Sequence, residues 1–341
     1  MEIEKKLLKK DSLDKLFQAL TGQGRKIYAP VQRNGEPDFA PVSSAGEVMT
    51  DYVQTVQSPK FSLFPKVEEM FRFHKDKEGM NISEKDSGKL PEVVLFGVRP
   101  CDAAAISALK AIFTWDYQDK LFLDRLERTS VIGLSCKTGD EYCFCTSTGG
   151  DPGATQGSDI LLTEIDNGDY LAEIISEKGQ EIVKMAKDLF QAAPTVDKQK
   201  YLARIEKVFD RQELAQKLQT AFNNEALWQE QAGRCLGCGA CAFVCPACAC
   251  FDIQDEGSTQ KGKRLRCWDS CGLSAFTLHT SGHNPREEQP PRWRQRIMHK
   301  FSYMPDRLTV YGCVGCGRCS RACPVDMNIL EHLTAIMEAK S

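Results

Sequence analysis

Hydrophobic residues near the N-terminus recur every three or four positions, as they do on one face of an amphipathic helix. On this spacing, residues 4–20 are predicted to form a single helix. Residues 26–62 contain four prolines and predict short strands and loops, whereas residues 63–74 predict a second helix. The next stretch, residues 75–91, is rich in charged and polar side chains and is expected to be an exposed loop.

Two continuous apolar runs then predict buried parallel strands. The first is Val93–Val98 and the second covers residues 130–135. Each run is followed closely by a cysteine, Cys101 in the first case and Cys136 in the second, and Asp102 is placed to cap the helix that follows. Ligands bind at the carboxyl edge of such open sheets, so both cysteines are expected to lie at a site.

Further along, two apolar stretches flank the pair Asn167-Gly168, which is a strong signal for a β-hairpin. Residues 178–191 and 197–223 are then predicted to be helical. Strands and helices thus alternate through this part of the chain, which predicts an N-terminal α/β domain over residues 1–225.

Composition narrows the class of protein. The chain has 341 residues, of which 42% are apolar, so two domains with packed cores are expected. The formal net charge of -3 argues against a nucleic-acid partner. The first residues lack the apolar core of a secretory signal, and the apolar runs are too short to cross a bilayer. We therefore expect a cytoplasmic protein with no membrane insertion.

The 16 cysteines are distributed unevenly, because none precedes Cys101 and twelve follow residue 230. Disulfides rarely persist in a reducing compartment, so this crowding indicates metal binding. Two segments share the spacing C-x2-C-x2-C-x3-C-P, which is that of bacterial two-cluster ferredoxins. The first run contains Cys235, Cys238, Cys241 and Cys245, and the second contains Cys313, Cys316, Cys319 and Cys323.

The spacing of these runs suits [4Fe–4S] clusters. Three closely spaced thiolates on one loop can reach three irons of one cluster, and the fourth cysteine begins a helix directed toward the other cluster. The alternative is zinc, whose sites more often combine separated C-x2-C pairs. The expected ligands are Cys235, Cys238, Cys241 and Cys323 for cluster 1, and Cys313, Cys316, Cys319 and Cys245 for cluster 2.

The predicted fold class is therefore α+β, with the N-terminal α/β domain followed by a mostly helical two-cluster ferredoxin-like domain over residues 226–341. An insertion at about 248–310 interrupts that domain. The insertion holds four further cysteines, Cys248, Cys250, Cys267 and Cys271. Two interpretations stay open for them: they bind a further cluster or a zinc ion, or they are ordinary packed thiols.

The insertion also holds a basic stretch, which is either a solvated face or a docking surface for an acidic partner. The stretch comprises Arg286, Arg292, Arg294, Arg296, His299 and Lys300, beside Trp293.

The N-terminal domain contains four cysteines, the number that one [4Fe–4S] cluster or one zinc ion needs. Two of them follow predicted strands that are expected to be neighbours, and the other two lie on one loop. Asp102 can also ligate, and the alternative is that all four are ordinary buried thiols. The expected ligands of this third [4Fe–4S] cluster are Cys101, Cys136, Cys143 and Cys145.

Several shorter segments accompany the cysteine runs. They are Phe61-Ser62-Leu63-Phe64-Pro65-Lys66-Val67-Glu68, Arg99-Pro100-Cys101-Asp102, Tyr142-Cys143-Phe144-Cys145, Cys267-Trp268-Asp269-Ser270-Cys271, Ser281-Gly282-His283-Asn284-Pro285-Arg286 and His299-Lys300-Phe301. In these segments the chain resembles the iron–sulfur subunit of anaerobic sulfite reductase and the beta subunit of cytosolic sulfhydrogenases. Related subunits occur in flavin-based electron-bifurcating complexes of anaerobes. The resemblance covers about residues 25–335.

The resemblance implies an electron-transfer iron–sulfur subunit of a cytosolic multisubunit oxidoreductase. One implied partner carries a flavin and an NAD(P)H site, and the other is catalytic: a hydrogenase, a sulfite reductase or a bifurcating enzyme. It also implies the N-terminal cysteine site. No acid, base or nucleophile stands out, so no catalytic residue is assigned. Two other functions stay open, a redox-sensing or structural metal-binding module without a relay role, and a subunit that reduces a substrate at the N-terminal site.

Overall fold

The computed structural model describes residues 3–84, 88 and 90–339 of the chain. In this part, an eight-stranded mixed sheet is joined to a four-stranded antiparallel sheet and to a group of C-terminal helices, so the α+β class is confirmed. None of the helices within these residues has the length and apolar character needed to cross a membrane.

The strands are β1 (Glu4–Leu8), β2 (Lys26–Arg33), β3 (Glu36–Val42), β4 (Val67–Lys75), β5 (Met80–Glu84), β6 (Val93–Val98), β7 (Thr129–Leu134), β8 (Ile160–Glu164), β9 (Tyr170–Ile174), β10 (Phe190–Ala192), β11 (Phe251–Gly257) and β12 (Lys261–Trp268). The α-helices are α1 (Leu13–Gly22), α2 (Pro100–Thr114), α3 (Lys120–Glu127), α4 (Glu177–Met185), α5 (Arg211–Ala221), α6 (Glu225–Ala232), α7 (Ala240–Phe243), α8 (Gln289–Met298), α9 (Met304–Leu308), α10 (Arg318–Arg321) and α11 (Ile329–Glu338). A π-helical turn, His299–Tyr303, joins α8 to α9.

The large sheet has the strand order β10-β1-β9-β8-β7-β6-β2-β3. Its four central strands β8, β7, β6 and β2 run parallel, and the pairing of Leu95 with Val131 confirms that the two apolar runs are neighbours. The hairpin at Asn167-Gly168 is also confirmed, because β8 and β9 pair antiparallel across it. Both turn residues have the positive φ that such a turn requires, 63° and 77°.

Helix α1 covers one face of this sheet with the apolar stripe that the sequence contains. Phe17 is fully buried, and its ring meets that of Phe96 edge to face with 5.0 Å between centroids. A fully buried side chain of this size contributes about 1.5–3 kcal/mol relative to an exposed one. The face of α1 therefore fixes the helix on β6, the strand that leads to Cys101.

The predicted helix over residues 4–20 is wrong in its first part. Glu4–Leu8 is strand β1, which pairs antiparallel with both β9 and β10, and the helix starts only at Leu13. The two partner strands lie more than 150 residues further along the chain. The spacing of apolar residues within a short segment cannot reveal such distant partner strands. Pairing with β9 and β10 therefore overrides the local helical pattern.

The predicted helix over residues 63–74 is also wrong, because Val67–Lys75 is strand β4. It pairs with β5 on one side and on the other with β12, which belongs to the insertion. Glu68 of β4 is buried against Arg266 of β12, with 2.5 Å between Oε2 and Nη2. This small sheet thus combines strands from both sides of the predicted boundary at residue 225, which itself stays a prediction.

Three further predictions need smaller corrections. Part of the expected loop over 75–91 is the exposed strand β5, while residues 85–87 and 89 lie outside the described part of the chain. The expected helix over 178–191 ends at Met185 and gives way to β10. The helix expected over 197–223 begins only at Arg211, where the Asp210 side chain accepts hydrogen bonds from two backbone amides of the first turn.

The buried pair across β4 and β12 should control stability. Replacing Arg266 by Ala removes one of the two arginines that pair with the buried Glu68 carboxylate and leaves only Arg125, so we expect the free energy of unfolding to fall by about 3 kcal/mol. The matched control is Arg264→Ala on the same strand, because Arg264 is 43% exposed and its pair with Asp255 is worth less than about 1 kcal/mol. Denaturant unfolding of both variants measures the two changes in the free energy of unfolding. Equal decreases in the two variants would contradict a stabilising role for the buried Glu68–Arg266 pair.

Candidate metal centre

Three cysteines of the first run, Cys235, Cys238 and Cys241, line one cavity. Cys319 and Cys323 from the second run line it as well. The Gln289 amide donates a hydrogen bond to the Cys235 sulfur at 3.0 Å. The cysteine sulfurs around this apolar-walled space form a donor set that fits an iron–sulfur cluster.

The second run is linked to Cys245 through Lys300. The Lys300 ammonium group donates to the Cys245 sulfur at 3.3 Å and to the carbonyl oxygen of Gly312 at 2.6 Å, next to Cys313. Burial raises the pKa of Cys313 to about 12, while the facing Lys300 cation opposes this rise. Such a thiol becomes a thiolate at neutral pH when a metal binds it. Lys300 thus lies beside both Cys245 and the start of the second run.

All four N-terminal cysteines line a second small cavity. Helix α2 carries Cys101 in its first turn, Cys136 follows the end of β7, and Cys143 and Cys145 come from one loop. The Gln54 amide donates to the Cys101 sulfur at 3.3 Å. Burial raises the pKa of Cys136 to about 11 and that of Cys145 to about 12, so these thiols also need a bound cation to ionise.

The loop of residues 142–145 packs directly on the backbone of the second run. The Phe144 amide donates to the carbonyl oxygen of Gly315 at 2.9 Å. A Cβ atom at Gly315 would lie 2.5 Å from the backbone nitrogen of Cys145, and one at Gly317 would lie 2.5 Å from the Tyr142 carbonyl oxygen. Both glycines also have φ near 65°, so only glycine allows this contact.

A buried ion pair reinforces the contact. Arg318, between Gly317 and Cys319, binds both carboxylate oxygens of Asp102 at 2.5 and 2.6 Å, and each residue is 2% exposed. Asp102 does not cap α2, since the cap position is Arg99, and it carries this pair instead. The expectation of a helix cap is therefore wrong, and nothing local in the sequence links two residues that are 216 positions apart.

A second arginine of the same run also turns toward the N-terminal group. Arg321 binds the Asp140 carboxylate at 2.5 and 3.0 Å, and its guanidinium lies 3.6 Å from the Cys143 sulfur. Neither Arg318 nor Arg321 was predicted as a site residue, because an arginine within a ferredoxin run is indistinguishable in sequence from an ordinary surface residue.

The basic stretch of the insertion is only partly a surface. Trp293, Arg296 and Lys300 are buried at 3–5% exposure, with the two cations directed at cysteines and carbonyl groups. The expectation of a solvated or docking face is wrong for these three residues. Helix α8 and the π-helical turn after it direct them inward, onto the ferredoxin loops.

Among residues 3–84, 88 and 90–339, no group of three or more His, Cys, Asp or Glu side chains is arranged to hold a single metal ion.

Comparison with known proteins agrees with this geometry. Residues 234–327 match the family model described as "4Fe-4S dicluster domain". Over 333 residues the chain is 33% identical to the "Sulfhydrogenase 2 subunit beta" of Pyrococcus furiosus, and the match covers 95% of each chain. Comparison with the solved structures gave no match. The resemblance noted from the sequence is thus confirmed, and the chain belongs to the sulfhydrogenase beta subunit family of iron–sulfur proteins.

Proposed function

We propose that this chain is a non-catalytic electron-transfer subunit of a cytoplasmic multisubunit oxidoreductase. Bound [4Fe–4S] clusters supply one-electron exchange at potentials that the protein sets. The proposed ligands are Cys235, Cys238, Cys241 and Cys323 for cluster 1, Cys313, Cys316, Cys319 and Cys245 for cluster 2, and Cys101, Cys136, Cys143 and Cys145 for cluster 3.

The observation that carries this proposal is the central position of the second run. Cys319 belongs to the second proposed ligand set and lines the cavity of the first. Cys316 belongs to the same set and lines the N-terminal cavity. The second group therefore lies between the other two, and the three form a continuous series suited to a relay.

The first group has an edge at the protein surface. Cys238 is exposed, and the neighbouring Leu236 is 67% exposed. An exposed apolar side chain beside a redox site suits contact with another protein. We assign this edge to electron exchange with a partner protein.

The family suggests the kinds of partner. The relative from Pyrococcus furiosus is a subunit of a sulfhydrogenase by name. We propose one partner that binds a flavin and NAD(P)H, and one catalytic partner, a hydrogenase, a sulfite reductase or a bifurcating enzyme. In this arrangement residues 1–225 carry the third cluster and residues 226–341 the other two, with an insertion at about 248–310.

The relay is tested in the complex purified anaerobically with its partners. NAD(P)H is added, and EPR spectroscopy follows the reduced clusters of this chain. We expect reduction by NAD(P)H and onward transfer to a viologen dye. If dithionite reduces the clusters but neither NAD(P)H nor the catalytic partner does, the chain is a sensor or a structural module instead.

The third cluster gives a separate prediction. Replacing Cys136 by Ser removes one N-terminal ligand, so we expect the anaerobically purified chain to lose about four irons and one EPR signal. Iron and acid-labile sulfide analysis measures this loss. The control is Cys267→Ser. The Cys267 thiol contacts Gln254 on the β11–β12 hairpin, so this variant should keep all the iron of the chain. Unchanged iron in the Cys136 variant rules out the N-terminal cluster.

Lys300 should raise the reduction potential at Cys245. A cation that donates to a ligand sulfur stabilises the more negative, reduced state, so Lys300→Met is expected to lower that midpoint potential. A charged hydrogen bond worth about 1.5–3 kcal/mol corresponds to a shift of roughly 60–130 mV for one electron. Redox titration followed by EPR measures the shift, with the exposed Lys66→Met as control. Equal potentials in both variants contradict this role.

A further inference from the structure

Three cysteines of the insertion belong to none of the proposed ligand sets, yet they converge inside the protein. The thiols of Cys250 and Cys271 share a hydrogen bond, and Cys248 lies within electrostatic range of both. The Cys248 thiol itself shares a hydrogen bond with Cys245, a proposed ligand of cluster 2. The Cys250 carbonyl also accepts from the Asp269 amide at 3.0 Å, which holds the two loops together. Cys267, the fourth cysteine of the insertion, lies on β12, where its sulfur contacts Gln254 at 3.9 Å.

Three buried cations surround this group. Lys60, Arg296 and Lys300 are 3–5% exposed, and all three lie within electrostatic range of Cys248. Arg296 approaches the Cys248 sulfur to 3.7 Å, and Lys60 donates to the Cys248 carbonyl oxygen at 3.0 Å.

These cations contact carbonyl oxygens and thiols rather than carboxylates. The buried Nε of Arg296 has no hydrogen-bond partner within the described part of the chain. A buried cation without a counter-ion strongly destabilises the folded state, so we expect anions to face these side chains. Metal-bound thiolates provide those anions.

The ligands proposed above account for only part of this charge. Cys241 and Cys245 belong to clusters 1 and 2, but Lys60 lies over the Trp268 ring at 4.1 Å, on the side of the insertion, and faces Cys248 and Cys250 as well as Cys245. The two clusters of the ferredoxin runs therefore assign no role to the thiols of Cys248, Cys250 and Cys271, or to the Lys60 cation.

We infer that Cys248, Cys250 and Cys271 bind a further iron–sulfur cluster, in addition to the three clusters of the proposed relay. The three sulfurs can hold three irons, as the three closely spaced cysteines of a ferredoxin loop do. Lys60, Arg296 and Lys300 balance the charge of the thiolates. The site lies beside Cys241 and Cys245, so it adjoins both ferredoxin groups.

The test compares the wild-type full-length chain with the triple variant Cys248→Ser, Cys250→Ser, Cys271→Ser, both purified without oxygen. The variant is expected to lose about three or four irons per chain, with matching sulfide, and one EPR signal. The control variant Cys267→Ser, from the same insertion, is expected to have the same iron and sulfide content as the wild type. The inference is overturned if the triple variant keeps the wild-type iron content, or if the metal that it loses is zinc.

A second measurement needs no variant. The native wild-type chain is alkylated before and after a chelator removes its iron, and the labelled peptides are identified by mass spectrometry. Cys248, Cys250 and Cys271 should react only after iron removal, whereas Cys267 should react both times. Equal labelling of the three cysteines before and after overturns the inference. The relay proposal is tested separately by NAD(P)H reduction of the purified complex, so either can fail alone.

Discussion

The close backbone contact between the loop of residues 142–145 and the turn at Gly315 and Gly317 is the constraint that holds the N-terminal cysteines against the second run. A side chain at either glycine would overlap the loop, so the contact requires glycine at both positions of the ferredoxin run. The Arg318–Asp102 pair fixes the same junction from α2. Through these contacts, a cysteine group built on a parallel sheet is held against a group built on ferredoxin loops.

Charge balance is the second constraint on this interior. Arg296, Lys300 and Lys60 are buried among thiols and carbonyl groups, while burial raises the pKa of Cys241 and of Cys313 and so favours their protonated form in the absence of metal. Cluster assembly converts those thiols to thiolates and supplies the missing negative charge. Folding of the C-terminal part should therefore be coupled to cluster binding, as in other small metal-containing domains.

The sequence was informative where chemistry or pairing is local. The two C-x2-C-x2-C-x3-C-P runs, the strands leading to Cys101 and Cys136, and the hairpin at Asn167-Gly168 were all predicted. It was misleading where the partner is distant, as for β1, whose strand partners come more than 150 residues later, and β4, which pairs with the insertion. The solvated or docking face predicted for Lys300 was wrong for the same reason, since its contacts depend on how α8 packs.

The most direct test of the account is the magnetic interaction between reduced clusters at the second run and at the N-terminal group. EPR spectra of the dithionite-reduced chain should show split or broadened signals, because Cys316 of the second run lines the N-terminal cavity. Disrupting the N-terminal group through Cys136 should simplify the remaining signal of the second run. Narrow, independent signals that the Cys136 change leaves unaltered would contradict the account.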